Sequence, residues 1–286
     1  MFWIVTALFT AFASATKDYI SKQTMKKADH YLTTWSLMTL TLPFLAFALI
    51  FVGIPQTTLF FWFVALIAAI VYIVSVLLYM KAISISPLSL TLPMLAFTPI
   101  FMLLTGPLIL GEFPNPVGII GIISIVVGAY VLNIKEIKKS ILHPFIYLVK
   151  ERGPVLMLGV SALWSITATS IKYLINSSNV FFGVFSEYLI AAIIFSLFVF
   201  LTKRVRFSEV KKNFKNLTGI GFFMALSEVS LSYTFTMTLA VYAIAVKRTS
   251  ILIGSFYGFK FFKEGNVLQR VLGSVFMLLG IILMAL

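Results

Sequence analysis

The chain contains no cysteine, only two histidines and only nine acidic residues among its 286 positions. The lack of cysteine excludes disulfides, thiol nucleophiles and cysteine-ligated metal, although it says nothing about the cellular compartment. The histidines, His30 and His143, have no metal-ligand spacing around them. Because the sequence also lacks a nucleophile elbow and a phosphate-binding glycine loop, we expect no enzyme, no metal and no cofactor.

Long apolar stretches fill almost the whole chain. Hydrophobic residues make up 60% of the sequence, charged residues only 11%, and the mean hydropathy is +1.06. A membrane-spanning helix needs about 20 apolar residues. The sequence therefore predicts an all-α integral membrane protein with ten transmembrane helices. These predicted spans cover residues 2–21, 31–53, 59–80, 87–110, 116–134, 154–175, 180–202, 217–236, 239–262 and 268–286.

The net charge of +13 is distributed unevenly along the chain. Lysines and arginines follow the odd-numbered predicted spans, whereas the turns at residues 53–58, 111–116, 176–179 and 237–239 contain none. Cytoplasmic connections of membrane proteins are enriched in these cations. We therefore predict a multi-pass protein of the cell membrane with cytoplasmic basic connections and both termini outside. The same argument assigns the basic excess to membrane orientation and not to nucleic-acid binding.

An internal repeat organises the sequence. A shift of 152 residues aligns Glu112 with Glu264, and it also aligns glycines in the helices that follow. Each unit holds five predicted spans, an odd number, so the second unit would enter the membrane with the opposite orientation. The sequence thus predicts two inverted five-helix repeats, the architecture of many alternating-access transporters. The predicted units are residues 1–134 and 153–286, joined by a cytoplasmic interfacial linker at 135–152.

Two groups of motifs resemble the EamA domain of the drug/metabolite transporter superfamily. The first copy reads Ser86-Pro87-Leu88 through Pro99-Ile100-Phe101, followed by Leu110-Gly111-Glu112; the second runs through Ala245-Val246-Lys247-Arg248-Thr249-Ser250 and Phe262-Lys263-Glu264. The resemblance implies ten helices in two repeats and a central cavity lined largely by spans three, four, eight and nine. It also implies substrates that are small organic metabolites.

Charged residues inside predicted spans are the first candidates for a substrate or coupling site. A cation at the bilayer centre costs roughly 2.5 to 3.5 kcal/mol, so Lys247 and Arg248 in span nine need a partner or a polar cavity. Glu228, in span eight, lies as far before the turn at residues 237–238 as Lys247 lies after it. We therefore expect Glu228 and Lys247 to meet inside the membrane, either as a structural pair or as substrate ligands. Arg248 lies about 100° further round the helix and is the second cationic candidate.

The remaining candidates are less specific. Glu187, in span seven, is predicted to form either an internal salt bridge or a substrate contact. Tyr79 and Trp164 are candidates for the cavity lining. Lys17 and Lys172 match the family's lysine near the end of the first helix in each repeat. Their side chains could equally extend to the membrane–water interface. Asp18 is expected to pair locally with Lys17, and Glu112 is expected to be architectural.

Proline and glycine mark candidate gating or packing positions. Pro93 and Pro99 lack a backbone N–H, so span four is predicted to be kinked, either as a static packing element or as a moving cavity wall. Ser250, Gly254 and Gly258 follow Lys247 at helical spacing. Small residues on one face either allow another helix to approach closely or leave room for a ligand.

These observations predict a secondary transporter of small polar or amphipathic metabolites, with amino acids or related organic ions as the leading class. Its expected partners are the small-molecule substrate, the lipid bilayer and either a coupling proton or an exchanged solute; the sequence leaves the oligomeric state open. One alternative is a lipid-linked carrier or polyprenyl-phosphate flippase. A membrane scaffold or sensor that does not transport is a further alternative.

Overall fold

The computed structural model describes residues 2–86, 91–131, 151–254 and 267–286, with side chains described from 272 onward in the last segment. Within these ranges the chain is helical and contains no β-strand. A 3-10 helix at Leu92–Phe97 precedes α5. The α-helices are α1 (Phe2–Thr24), α2 (His30–Thr39), α3 (Leu42–Leu49), α4 (Leu59–Ile85), α5 (Thr98–Leu110), α6 (Pro116–Val131), α7 (Arg152–Asn176), α8 (Phe182–Leu201), α9 (Phe207–Met237), α10 (Ala240–Lys247) and α11 (Val267–Ala285).

Two predicted spans are interrupted by proline. Span two is divided into α2 and α3 at residues 40–41, where Pro43 occupies the first turn of α3. Proline removes one backbone donor, and its ring clashes with the carbonyl four residues earlier, here that of Thr39. In span four, Pro93 and Pro99 each occupy the first turn of a helix, so the 3-10 segment and α5 are separate helical pieces.

Two other predicted boundaries are wrong. Helix α9 begins at Phe207 and not at residue 217, so Lys211 and Lys212 lie on a helix and not in a connection. Span nine is not continuous either: α10 ends at Lys247, residues 248–249 form a turn, and residues 250–254 are helical again. The hydroxyl of Thr249 donates to the carbonyl of Val246 at 2.8 Å, a local bond that competes with the helical ladder.

Among the residues that the structure describes, five helical stretches are long and apolar enough to cross a membrane. Large hydrophobic side chains also cover the outer surface; Leu59, Leu108 and Leu201 are 88%, 84% and 79% exposed. Such a surface is stable only in contact with lipid or another apolar partner. The chain is therefore a multi-pass membrane protein. The five stretches are His30–Leu49, Leu59–Ile85, Leu92–Leu110, Arg152–Asn176 and Phe182–Leu201.

Among the described helices, the most extensive contacts join the two halves of the chain. Helix α1 packs along α9, α4 packs along α7, and α6 packs along α11. The 152-residue shift relates α1 to α7, α4 to α9 and α6 to α11. The shift therefore converts the α1–α9 contact into the α7–α4 contact and the reverse. It converts the α6–α11 contact into itself.

Glycines allow α6 and α11 to approach with backbone in contact. A Cβ added at Gly121 would lie 2.8 Å from the carbonyl oxygen of Gly280, and one added at Gly128 would lie 2.6 Å from that of Gly273. The hydroxyl of Ser124 donates to the carbonyl of Phe276 at 2.7 Å in the same interface. The repeat aligns Gly121 with Gly273 and Gly128 with Gly280, so these two glycine contacts are also exchanged by the shift.

Candidate functional site

The structure brings Lys247, the last residue of α10, into contact with Glu228 in the interior of α9. Lys247 Nζ lies 3.2 Å from Glu228 Oε1, and the two side chains are 12% and 5% exposed. Removing either charge would leave the other buried without compensation. This geometry satisfies the charge requirement of a membrane interior, and it also places two ionic groups where a polar ligand could compete for them.

Arg248 lies beside this pair but has different partners. The chain leaves α10 at Lys247, and the buried Arg248 side chain donates from Nη2 to the Thr98 hydroxyl at 2.8 Å. Its guanidinium carbon lies 5.2 Å from the centroid of the Trp164 ring. Within the described ranges Nε has no hydrogen-bond partner, and no carboxylate forms an ion pair with the guanidinium. Arg248 therefore retains capacity for an anionic ligand.

Trp164 and Tyr79 form the aromatic wall of this site. Their ring centroids are 5.0 Å apart. Trp164 Nε1 donates to the hydroxyl of Ser75 at 2.9 Å, which fixes the orientation of the indole. Tyr79 is buried. The rings thus connect Arg248 on one side with the polar groups of α1 on the other.

Those polar groups are Lys17 and Asp18, which the sequence did not assign to the site. Lys17 Nζ lies 2.6 Å from Asp18 Oδ1, and both side chains are buried. The Tyr79 hydroxyl donates to the same Asp18 oxygen, and Lys17 Nζ lies 4.9 Å from the centroid of the Tyr79 ring. Lys17 therefore does not extend to the membrane interface. In the sequence, two adjacent opposite charges in an apolar helix indicated that Lys17 and Asp18 pair with each other. This pattern does not predict that Asp18 also binds the Tyr79 hydroxyl.

The site as a whole contains three buried cations and two carboxylates around two aromatic rings. Its members come from α1, α4, α5, α7, α9, α10 and the turn after α10, so both halves of the chain contribute. Such a mixture of charges suits a zwitterionic or doubly functional ligand better than an apolar one. The members are Lys17, Asp18, Tyr79, Thr98, Trp164, Glu228, Lys247 and Arg248.

Glu187 lies apart from this cluster on α8. It is completely buried, and neither carboxyl oxygen has a hydrogen-bond partner in the described structure. Of the two predicted roles, the internal salt bridge is not formed with any described residue. Its neighbour Tyr188 accepts a hydrogen bond from Tyr72 of α4 at 2.7 Å.

The predicted packing positions are only partly described. Because the helix is broken after Lys247, Lys247 and the residues from Ser250 onward do not share one continuous helical face. A Cβ added at Gly254 would lie 3.2 Å from Leu92 Cδ1, so this glycine packs against the 3-10 helix. Gly258 lies outside the described residues. A gating role for Pro93 and Pro99 stays a prediction.

A separate pocket of about 650 Å³ opens at the end of the molecule where α7, α9 and the α5–α6 connection meet. At its base, Lys172 Nζ lies 2.5 Å from Glu112 Oε1 and donates to the Thr238 carbonyl at 2.7 Å. Glu112 Oε2 accepts the N–H of Ala240 at the start of α10, at 2.9 Å. Glu112 is thus architectural, and Lys172 is buried in protein and not held at the interface. The lining is Glu112, Lys172, Ile175, Asn176, Asn179, Val180, Phe235, Thr236, Thr238 and Leu239.

At the opposite end of the bundle, Lys22 makes a related contact. Its Nζ donates to the carbonyl of Ser86 at 3.1 Å and also to that of Ile83, at the C-terminal end of α4. Ser86 and Thr238 are 152 residues apart. A lysine from the first helix of each half therefore binds the carbonyl end of that half's third predicted span. Glu264, the repeat equivalent of Glu112, lies outside the described residues.

The described part of the chain contains no group of three or more histidine, aspartate or glutamate side chains that could hold a metal ion. The ionic groups found in the central cluster are instead paired with one another or placed on aromatic rings. Their arrangement can bind and orient a polar ligand.

Comparison with known proteins follows the same division of the chain. The EamA-like transporter family matches residues 1–134 and again residues 151–286. A solved structure described only as "Crystal structure of protein" has a TM-score of 0.72 and 12% sequence identity, and the match covers 99% of this chain and 98% of that chain. At this identity the likeness shows the fold alone. No curated protein matches the chain significantly.

Proposed function

The chain belongs to the EamA-like transporter family, within the drug/metabolite transporter superfamily that the sequence motifs resemble, and on this premise we propose that it is a secondary transporter of amino acids or related zwitterionic metabolites. Transport proceeds by alternating access between two inverted five-helix repeats, residues 1–134 and 153–286. The central cluster binds the substrate near the middle of the membrane. The protein resides in the cell membrane with its basic connections in the cytoplasm.

The helix contacts support the inverted-repeat arrangement. The pairs α1–α9 and α7–α4 exchange under the 152-residue shift, and the α6–α11 pair maps onto itself. The reciprocal glycine contacts of α6 and α11 follow the same rule. A two-fold axis between the halves produces this pattern. In transporters with such repeats, the substrate site lies at the repeat interface near the midplane.

The observation that carries the substrate class is the environment of Arg248. A buried guanidinium normally pairs with a carboxylate, yet among the described residues this one contacts the Thr98 hydroxyl and the face of Trp164 and forms no ion pair. Its planar fork matches a carboxylate in bidentate geometry. We therefore assign the substrate carboxylate to Arg248, with Nε among the donors, because Nε is buried and has no described partner.

The positive charge of the substrate would bind a carboxylate of the same cluster. Asp18 and Glu228 are buried carboxylates whose partners, Lys17 and Lys247, are flexible lysines. A substrate ammonium could bind either carboxylate beside its lysine, because a carboxylate can accept hydrogen bonds from more than one donor and no buried cation then loses its partner. Tyr79 and Trp164 would then contact the apolar part of the substrate.

Access to this site would alternate between the two ends of the bundle. The Glu112–Lys172 pair closes the base of the outer pocket, and the contacts of Lys22 lie at the other end. Breaking one set while keeping the other would open a path from one side only. The site is therefore expected to exchange substrate with each side in turn.

A thermal-shift screen of the purified protein tests the substrate class. The compound set contains amino acids, organic acids, amines, nucleotide sugars and lipid phosphates. A ligand that binds only the folded state stabilises it by about 2.7 kcal/mol at a concentration of 100 times Kd. We expect amino acids to raise the midpoint and their decarboxylated amines to fail. A response to lipid phosphates alone would instead support the lipid-linked carrier, and no response at all would support a scaffold or sensor.

A matched pair of arginine substitutions localises the binding. Arg248→Lys keeps the positive charge but loses the bidentate fork, so we expect the shift caused by amino acids to disappear. Arg204→Lys is the control, because Arg204 also lies over an aromatic ring, at 5.2 Å from Tyr31, but on the exposed surface. If both variants respond to amino acids like the parent, the carboxylate does not bind at Arg248.

A further inference from the structure

Glu187 is a buried acid without any described partner. Its side chain is 0% exposed, and both carboxyl oxygens lack a hydrogen bond within the described part of the protein. The other described buried carboxylates, Asp18 and Glu228, each lie within 4 Å of a lysine. Glu187 is therefore a different kind of group from the acids of the central cluster.

Electrostatics decides which form of Glu187 this environment tolerates. An isolated ionised carboxylate in a low-dielectric interior costs far more than a neutral carboxylic acid, and it neutralises by taking up a proton. Ionisable residues inside membrane segments are for this reason commonly parts of proton relays. The packing around Glu187 thus requires that it carry a proton in this conformation.

The surrounding groups strengthen this requirement. Glu228 of α9 is a like charge that acts on Glu187. Tyr72 of α4 and Tyr188 of α8 are also close, and their hydroxyls bond to each other. On α7, Lys172 is occupied by Glu112. The titratable residues of α2 lie in its first turn. One of them, Tyr31, contacts Phe198, which is three helical turns further along α8 than Glu187. Helix α3 contains no titratable residue.

A route to water lies near one end of α8. Asn179 and Val180, which precede α8, line the outer pocket. Glu187 lies about 8 Å further along the helix axis than Phe182, the first residue of α8, at 1.5 Å per residue. A modest separation of α8 from α7 or α4 would therefore connect the carboxyl group with the pocket.

We propose that Glu187 is the proton-binding site of this transporter and that the proton is its coupling ion. The inference deepens the proposed function and rests on it for the role of the proton. When Glu187 faces water on one side, its carboxylate takes a proton from hydronium and leaves water; on the other side the acid returns that proton to water. One proton moves per cycle, and no oxidant or other reactant is consumed. The neutral acid stabilises the packing in which Glu187 is buried, whereas the carboxylate favours a conformation in which it is hydrated.

Infrared spectroscopy of the purified protein tests the protonation state without any substrate. At neutral pH we expect the carbonyl stretch of a protonated carboxylic acid in the parent protein and its loss in Glu187→Gln. Glu187→Asp should shift the band, which covers the case in which the glutamine variant does not fold. Glu209→Gln, on α9 near the surface, is the matched control and should retain the band. Absence of the band in the parent, or its persistence in Glu187→Gln, would overturn the proposal.

Cysteine labelling tests the coupling to conformation. The chain has no cysteine, so Asn176→Cys in the outer pocket and Ser208→Cys on the exposed start of α9 each give a single reactive site. The ratio of their labelling rates is compared at each pH between the parent and Glu187→Gln backgrounds, because the intrinsic titration of each thiol is the same in both. We expect the pH dependence of this ratio in the parent background to differ from that with Glu187→Gln. A pH-independent ratio in the parent, or an unchanged pH dependence in Glu187→Gln, would contradict proton coupling at Glu187 even if amino acids bind as proposed.

Discussion

Lys172 and Glu112 form an ion pair that connects the elements at the base of the pocket of about 650 Å³. The two charged atoms are 2.5 Å apart. Lys172 also binds the carbonyl of Thr238 beyond the end of α9, and Glu112 binds the N–H of Ala240 at the start of α10. One ion pair therefore connects α7, the α5–α6 connection and the turn between α9 and α10. Because these elements belong to both halves of the chain, the pair resists their separation.

The first prediction concerns this closure. Glu112→Gln should weaken the base of the pocket and speed maleimide labelling of Thr169→Cys, a buried position one turn deeper on the same face of α7. If opening precedes labelling, each loss of about 1.4 kcal/mol raises the rate about tenfold. Glu151→Gln, at the other end of α7, is the control because Glu151 makes no capping hydrogen bond. Equal rates in both variants would show that the ion pair does not close the pocket.

The second prediction concerns the pair of Glu228 and Lys247. Glu228→Gln or Lys247→Met alone leaves one buried charge without its partner, and each should destabilise the protein by about 3 to 5 kcal/mol. The double variant should recover the free energy of unfolding but not ligand binding. The measurement is a double-mutant cycle of thermal or denaturant unfolding in detergent. Additive effects of the two single changes would show that the charges are not coupled.

The third prediction concerns the glycine contacts of α6 and α11. Gly128→Ala places a methyl group 2.6 Å from the backbone oxygen of Gly273, which cannot rotate away as a side chain would. We expect the overpacking to cost about 1 to 3 kcal/mol. Gly159→Ala is the matched control, since its Cβ would meet nothing within 4 Å on the exposed face of α7. That change should be neutral or slightly stabilising, because alanine favours helix interiors by about 0.5 to 1 kcal/mol.

The fourth prediction concerns the orientation in the membrane. Ser177→Cys, in the turn after α7, should react with an impermeant maleimide added outside intact cells, whereas Lys212→Cys should react only after permeabilisation. Ser177 is preferable to Asn179, whose side-chain oxygen accepts the N–H groups of Phe181 and Phe182 and caps α8. External labelling of Lys212→Cys in intact cells would invert the proposed topology and every inside or outside assignment with it.

The local pattern of the sequence predicts much of the architecture. Apolar length and charge content indicate membrane helices because the bilayer sets both requirements. The motif resemblance to the EamA domain is confirmed by the family match over both repeats. The equal spacing of Glu228 and Lys247 from one turn also predicts their meeting, since a helical hairpin brings equidistant residues to similar depth. The break after Lys247 was harder to predict because neither proline nor glycine marks residues 248–249 in the sequence.

The tertiary structure decided which groups share a site. The sequence determined that Arg248, Trp164, Tyr79 and Asp18 lie in apolar segments, but each contact among them joins segments that are distant in the chain. The break after α10 directs Arg248 to Trp164 and Thr98, and α1 packs so that Asp18 accepts the hydroxyl of Tyr79, 61 residues away. Likewise, only the packing of α8 reveals that Glu187 lacks a described partner. Helix periodicity predicts which residues share a face of one helix, whereas the angle and register between helices depend on side-chain packing along their whole length.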